Sequence, residues 1–266
     1  MSGPAPVAPG VMRLALRTPT LPPATTTNCW ILGEDRVLLV DPAPIDADEQ
    51  ARLLQVARGL RVDALFLTHH HGDHVGAAGF LAEALGVQIW AHAETAARLD
   101  LPIRRQLDEG DAWQGWTVRH TPGHAPGHLC LLRDDGVAAV GDMVAAEGTI
   151  LIDPIEGDLR AYLHHLARLK ALGVRTLLPA HGPAIVDGPA LIDQYIAHRN
   201  LRSQQILAAL AAVEQADAEA LAPRVYPELN PAFWPLAALQ IQTHLQALTA
   251  DGQAHTVDGL TFRRGT

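Results

Sequence analysis

Residues 65–76 read Leu65-Phe66-Leu67-Thr68-His69-His70-His71-Gly72-Asp73-His74-Val75-Gly76. An apolar run typical of a buried strand leads into four histidines and one aspartate within six positions, and the Ala- and Gly-rich segment that follows indicates a helix. Neutral imidazole binds a divalent cation through one ring nitrogen, and a nearby carboxylate adds an anionic ligand. The stretch therefore predicts a metal site, and its density of ligands favours two ions.

The composition is that of an ordinary soluble globular protein. The chain has 266 residues, of which 48% are hydrophobic and 18% charged, so disordered and fibrous classes are excluded. A formal net charge of −9 counts against general affinity for nucleic acid. No run approaches the roughly 18 apolar residues of a membrane span. Cys29 and Cys130 lie in apolar, strand-like contexts, so we expect buried free thiols and a cytoplasmic location.

The order of the predicted elements indicates an α+β fold built from α/β layers. Strands with an antiparallel beginning are followed by alternating strands and helices, then by a strand-rich part, a helix, a further strand and one long helix. From about residue 215 the order becomes helix, helix, hairpin, which is that of a small winged-helix module. We therefore predict a catalytic domain over 1–212 and a winged-helix-like module over 213–266.

Three later segments each offer one more metal ligand directly after a predicted strand. His124 follows Thr121-Pro122-Gly123, Asp142 follows Gly141, and His181 stands before Gly182-Pro183. Because layered α/β folds gather side chains from strand ends at one edge, ligands that are distant in sequence can converge.

Together these motifs resemble the metallo-β-lactamase superfamily. The sequences of the motifs are most similar to those of its glyoxalase II-like branch. The run from Tyr195 to Asn200, with the C-terminal module, resembles the lactamase-β-like subgroup that carries a winged helix. The resemblance implies a four-layer αββα sandwich with a dinuclear centre. It implies that His69, His71 and His124 hold one metal, that Asp73, His74 and His181 hold the second, and that Asp142 bridges them.

The chemistry of such a centre is consistent with a hydrolase. Two neighbouring divalent ions lower the pKa of a shared water, supply a hydroxide nucleophile and stabilise charge on the attacked oxygen. Asp73 is also a candidate for orienting that nucleophile. Two Zn²⁺ ions suit the nitrogen-rich ligand set, and iron or manganese are alternatives. His70, His120 and His128 are expected in structural or supporting roles.

The substrate stays open between two reaction types. One is hydrolysis of an ester or thioester of a small molecule, as the glyoxalase II-like resemblance implies; the other is cleavage of single-stranded RNA by a phosphodiesterase or endoribonuclease, as the winged-helix subgroup implies for some members. Lactonase, β-lactamase and non-catalytic binding functions rank behind both. From Glu214 onward, six acidic and three basic residues argue against a nucleic-acid-reading module and favour a lid or a homo-oligomer contact. We expect no membrane partner.

Overall fold

The computed structural model describes residues 3–265 and divides the chain into two compact units. The first unit runs to Pro122 and then takes in Pro126–Ile150 and Leu169–Pro189. The second comprises Gly123–Ala125, Leu151–Arg168 and the chain from Ala190 onward. Residues 1, 2 and 266, which end the two predicted domains, lie outside the described residues. None of the described helices is long and apolar enough to cross a membrane.

The first sheet has seven strands that lie side by side in the order of the chain. They are β1 (Ala5–Ala8), β2 (Val11–Arg17), β3 (Thr26–Leu32), β4 (Val37–Val40), β5 (Val62–Phe66), β6 (Gln88–Ala91) and β7 (Ile103–Gln106). Strands β1 to β4 pair antiparallel, and β4 to β7 pair parallel. The carboxyl ends of β4, β5 and β6 therefore meet at one edge of the sheet.

The second sheet has five strands in the spatial order β12-β11-β10-β9-β8. They are β8 (Ala112–Trp113), β9 (Trp116–His120), β10 (Leu129–Arg133), β11 (Val137–Gly141) and β12 (Thr176–Pro179). Only the β11–β12 pair is parallel. These two strands therefore end at the same edge.

The two sheets share one core in the first unit. Trp30 and Phe66 of the first sheet belong to the same buried cluster as Trp116 and Leu131 of the second. A second apolar cluster covers the other face of the first sheet with Leu53 of a helix and further buried side chains. This unit therefore shows a helix layer on two facing sheets.

Four helices belong to the first unit: α1 (Ala47–Arg58), α2 (Gly72–Val75), α3 (Ala78–Leu85) and α4 (Ala93–Ala96). The side chain of Asp46 caps α1 through the amides of Asp48 and Glu49. The helix predicted from Gly76 to Leu85 is present as α3, which begins two residues later; just before it, the Ala77 amide donates to the Pro42 carbonyl (2.8 Å). The short helix α2 before it was not predicted.

The second unit is mainly helical and ends in a hairpin. Its elements are α5 (Leu159–Ala171), α6 (Gly188–Ala211), α7 (Ala218–Val225), a 3-10 turn (Pro231–Phe233), α8 (Trp234–Ala250), β13 (Ala254–Thr256) and β14 (Phe262–Arg264). The last residues of α5, from Leu169, and the first two of α6 are assigned to the first unit. Leu210, Leu221, Ile241 and Phe262 share its core. The predicted succession of helix, helix and hairpin is confirmed.

Candidate metal centre

The histidine-rich stretch lies at the carboxyl end of β5. His69 and His71 stand in the loop after this strand, and the short helix α2 carries Asp73 and His74. The Nε2 atom of His69 and the Nδ1 atom of His71 are 2.9 Å apart. Nitrogens bound to one tetrahedral ion at about 2.0–2.1 Å are separated by roughly 3.3 Å, so this spacing is close to that of two ligands of one ion.

The second sheet brings Asp142 and His181 to the same place. Asp142 directly follows β11, and His181 stands two residues beyond β12. Asp142 Oδ1 lies 3.6 Å from His74 Nε2 and 3.4 Å from His181 Nε2. Asp73 approaches the same two nitrogens with separate oxygens, Oδ1 at 3.9 Å from His74 and Oδ2 at 3.7 Å from His181. Four residues predicted as ligands thus converge within the first unit.

A buried aspartate beneath the cluster sets the orientation of two imidazoles. The carboxylate of Asp41, at the end of β4, accepts hydrogen bonds from His74 Nδ1 and from the Thr68 amide and hydroxyl, each at 2.8 Å. Because the Thr68 hydroxyl donates to Asp41, it accepts from His69 Nδ1 at 2.9 Å. Both rings therefore carry their proton on Nδ1 and direct Nε2 into the cluster, as in metal sites whose ligands are held by a carboxylate.

Further hydrogen bonds hold His181 and Asp142 in place. His181 Nδ1 donates to the Thr26 carbonyl (3.1 Å), which leaves Nε2 for the cluster. The Asp142 amide donates to His128 Nε2 (3.2 Å), and His128 Nδ1 bonds to the Thr121 hydroxyl (2.9 Å). His128 is fully buried and supports Asp142 from behind, which agrees with its predicted supporting role.

His124 belongs to the second unit. Its Nδ1 donates to the Leu151 carbonyl at 2.8 Å, so Nε2 is the nitrogen that this orientation presents for coordination. The preceding Gly123 has φ +136°, and a Cβ on it would lie 2.4 Å from the Tyr162 amide nitrogen. Only glycine fits this close approach, which explains the Gly-His pair of the motif.

The electrostatics of the first-unit cluster fit a cation. Burial lowers the pKa of His74, but the charges of Asp142 and Asp41 outweigh this effect and raise it well above its usual value. Burial also lowers the pKa of His181, but the hydrogen bond and the charge of Asp142 outweigh this effect and raise the pKa above its usual value. The buried Nε2 of His74 has no hydrogen-bond partner among the described residues. A divalent ion would satisfy this nitrogen and the facing carboxylates, so the residues fit metal ions.

Sequence reasoning missed Asp41 and Thr68. Asp41 has a positive φ of +54°, which aspartate tolerates better than most residues. Its position after a buried strand of the same sheet edge was the available signal. The sequence predicts a structural role for His120, and its Nε2 donates to the Pro126 carbonyl at 3.0 Å.

A sandwich of two mixed sheets with histidine and aspartate side chains gathered from strand ends defines the metallohydrolase class. Residues 22–181 match the model of the metallo-β-lactamase superfamily, and residues 218–262 match that of the β-lactamase-associated winged helix domain. The chain therefore belongs to the metallo-β-lactamase superfamily. The α+β sandwich, the winged helix and the hydrolase class predicted from the sequence are confirmed.

Similar proteins agree with the assignment to this superfamily. The β-lactamase-like protein 2 homologue of Drosophila melanogaster is 28% identical and aligns over 91% of this chain and 89% of its own. An atrochrysone carboxyl ACP thioesterase of Aspergillus chevalieri is 31% identical over 80% of this chain and 69% of its own. The crystal structure of a β-lactamase domain protein from Burkholderia ambifaria, 26% identical, superposes with a TM-score of 0.86 and covers 98% of this chain and 93% of that one.

Proposed function

We propose that the chain is a hydrolase with a dinuclear metal centre that cleaves an ester or thioester of a small molecule. The observation that carries this proposal is the convergence of Asp73, His74, Asp142 and His181 on one point within 4 Å. When bound, two divalent ions would supply an activated water at neutral pH and positive charge beside the attacked carbonyl.

The ligand sets that we propose follow the family motif. His69, His71 and His124 hold the first ion; Asp73, His74 and His181 hold the second; Asp142 bridges them. The 2.9 Å approach of His69 and His71 supports the first set, and the orientation of His124 by Leu151 is consistent with it. We propose zinc for both sites because nitrogen ligands predominate, with iron and manganese as the alternatives.

Asp73 is the residue that we propose to act in catalysis. Its side chain is 20% exposed, whereas those of His74 and His181 are almost fully buried. A carboxylate that reaches both the cluster and the solvent side can accept a proton from the attacking water and hold that water in line with the substrate carbonyl. Asp73 would therefore orient the nucleophile as well as bind an ion.

The thioester class rests on the relative named as an ACP thioesterase. Cleavage of single-stranded RNA is disfavoured by the six acidic and three basic residues from Glu214 onward.

Placement in the glyoxalase II-like branch stays a prediction. A cytoplasmic location, which the buried thiols Cys29 and Cys130 favour, and homo-oligomerisation through the module are proposals as well. We keep the domain boundary at 212/213, just after α6 ends at Ala211, although α6 and the C-terminal elements fall in one compact unit.

A turnover screen with metal analysis tests the function. The wild type and His71→Ala are expressed with zinc, iron or manganese, analysed for bound metal, and supplied with acyl thioesters, esters, lactones, a β-lactam and single-stranded RNA. We expect about two ions per wild-type chain and thioester or ester cleavage that His71→Ala lacks. A wild type without metal, or equal turnover by both proteins, would contradict the proposal. RNA cleavage lost in His71→Ala would replace the thioester class by the phosphodiesterase class.

A further inference from the structure

We propose that helix α8 of the winged-helix module is a positioning element for the metal ligand His124. Through Gln240 and Thr243 it fixes the backbone at Leu151 and Ile152, and the Leu151 carbonyl in turn orients the imidazole. The inference rests on the proposed function, because it takes His124 as a ligand. It assigns to the module a part in orienting one proposed metal ligand.

The first step is the hydrogen bond between His124 and its own unit. Its Nδ1 donates to the Leu151 carbonyl at 2.8 Å, and the residue is 5% exposed. This bond selects the tautomer with a lone pair on Nε2 and sets the plane of the ring. If the Leu151 carbonyl moved, the ring would lose both constraints.

The second step is a pair of side chains from α8 that hold the next peptide. The Ile152 carbonyl accepts from Gln240 Nε2 at 3.1 Å and from the Thr243 hydroxyl at 2.7 Å. All three residues are buried, so water cannot replace either donor at low cost. Only φ and ψ of Ile152 link this peptide to the one that contains the Leu151 carbonyl, so fixing one restricts the other.

The Thr243 hydroxyl has one proton and two nearby acceptors. The Leu239 carbonyl, one turn earlier in α8, lies at 3.0 Å, which is longer than the 2.7 Å to Ile152. We therefore assign the proton to Ile152. The bond across elements is the one that a Thr243→Val change would remove.

A third side chain sets the direction of the Gln240 amide. Arg199 of α6 donates through Nη1 to Gln240 Oε1, which turns Nε2 toward Ile152. Arg199 is 4% exposed and lies in the Tyr195–Asn200 run that the sequence marks as typical of the winged-helix subgroup. Its contact with Gln240 gives this run a physical role in the same network.

The contacts follow one face of α8. Gln246 Nε2 donates to the Pro154 carbonyl at 3.0 Å, so the positions 240, 243 and 246 all reach the segment 152–154. Residues three apart in a helix lie on the same side. A helix that only filled the core would not place polar side chains on this face, since buried polar groups are costly unless each finds a partner.

The test compares three variants of two threonines on α8. Thr243→Val removes the donor to Ile152 with little change of shape, and Thr243→Ser keeps the hydroxyl. Thr249→Val is the matched control, because among residues 3–265 the Thr249 hydroxyl bonds only within its own helix, to the Leu245 carbonyl at 2.8 Å. For each protein, zinc per chain and zinc affinity are measured by elemental analysis and by titration against a chelator, and the melting temperature is recorded.

We expect Thr243→Val to bind one of its two ions about tenfold more weakly, the lower end of what changes around metal ligands cost. Thr243→Ser and Thr249→Val should keep wild-type affinities. His124→Ala identifies the affected ion, since it should lose the same one. If Thr243→Val does not fold, Gln240→Met removes the other donor and is measured in its place.

The outcomes separate the two proposals. A wild type that binds no ion refutes the proposed function itself. A wild type with two ions, together with unchanged affinity in Thr243→Val and Gln240→Met, refutes only the role of α8. Equal weakening in Thr249→Val and Thr243→Val would show a general effect of the substitution and would also overturn it.

Discussion

Replacing Asp41 by asparagine is the sharpest test of how the centre is organised. Asparagine has the same shape and, like aspartate, tolerates the φ of +54° at this position, so the backbone need not change. One oxygen of the native carboxylate accepts the Thr68 amide, and the other accepts both the Thr68 hydroxyl and His74 Nδ1. In Asp41→Asn an amide NH₂ group replaces this second oxygen. It is itself a donor, and it faces the two donors Thr68 hydroxyl and His74 Nδ1.

The structure indicates how this conflict would be relieved. His74 is fully buried and cannot turn to solvent, so its proton would move from Nδ1 to Nε2, where it blocks coordination. Loss of such support typically lowers metal affinity about 10- to 100-fold, which is about 1.4–2.7 kcal/mol. The metal-free protein should lose about 1.5–3 kcal/mol of unfolding free energy, the value of one hydrogen bond to a charged group.

Competition titration with a zinc chelator measures the affinity, and urea unfolding of the chelator-treated protein measures the stability. Asp63→Asn is a suitable control: Asp63 is also an aspartate of the first sheet, but it contacts Arg36 and the Trp113 ring nitrogen (3.1 Å) and none of the metal ligands. We expect the second ion to be weakened in Asp41→Asn and retained in Asp63→Asn. Wild-type affinity for both ions in Asp41→Asn would refute the proposed control of the tautomer.

Two further predictions follow from single buried side chains. Asp142→Ala should lose at least one of the two ions in elemental analysis, since Asp142 Oδ1 faces both His74 and His181; unchanged metal content and activity would remove its bridging role. Burial, with the nearby arginine charges, lowers the pKa of His244 to about 3, so the folded chain keeps it neutral while the unfolded chain protonates it below about pH 6.5. Through this group, the free energy of unfolding should therefore fall by about 1.4 kcal/mol per pH unit from pH 6 to pH 4. In urea unfolding with chelator present, His244→Gln should lose less stability over this pH range. An equal dependence of stability on pH in both proteins would contradict the assignment.

The proposed ligand set could be derived from the sequence because each candidate is marked by its residue type and its position after a strand. His69, His71, Asp73 and His74 form one contiguous pattern, and the later candidates each stand beside a glycine after an apolar strand. Most of the strand and helix order could be predicted as well, because buried strands and amphipathic helices have distinct hydrophobic periodicities. Strand β7 was missed because its sequence, Ile103-Arg104-Arg105-Gln106, alternates half-buried and exposed positions and carries two charges.

The supporting groups were not accessible in this way. His181 and His124 are oriented by the carbonyls of Thr26 and Leu151, and a backbone carbonyl has no residue-type signature. Asp41 is 33 positions from its partner His74 in sequence and meets it only because β4 and β5 are parallel neighbours. Such contacts follow from the register of the sheet, which residue patterns alone do not determine.

The composition of α8 bears on what a winged helix does in a hydrolase. A module that reads nucleic acid needs lysine or arginine on its surface to contact phosphates. Helix α8, Trp234–Ala250, contains neither, and its His244 is buried. Its polar side chains Gln240 and Thr243 bond instead to Ile152. Helix α8 thus lacks the side chains that phosphate binding needs, and its buried polar side chains bond the segment next to Leu151, whose carbonyl orients His124.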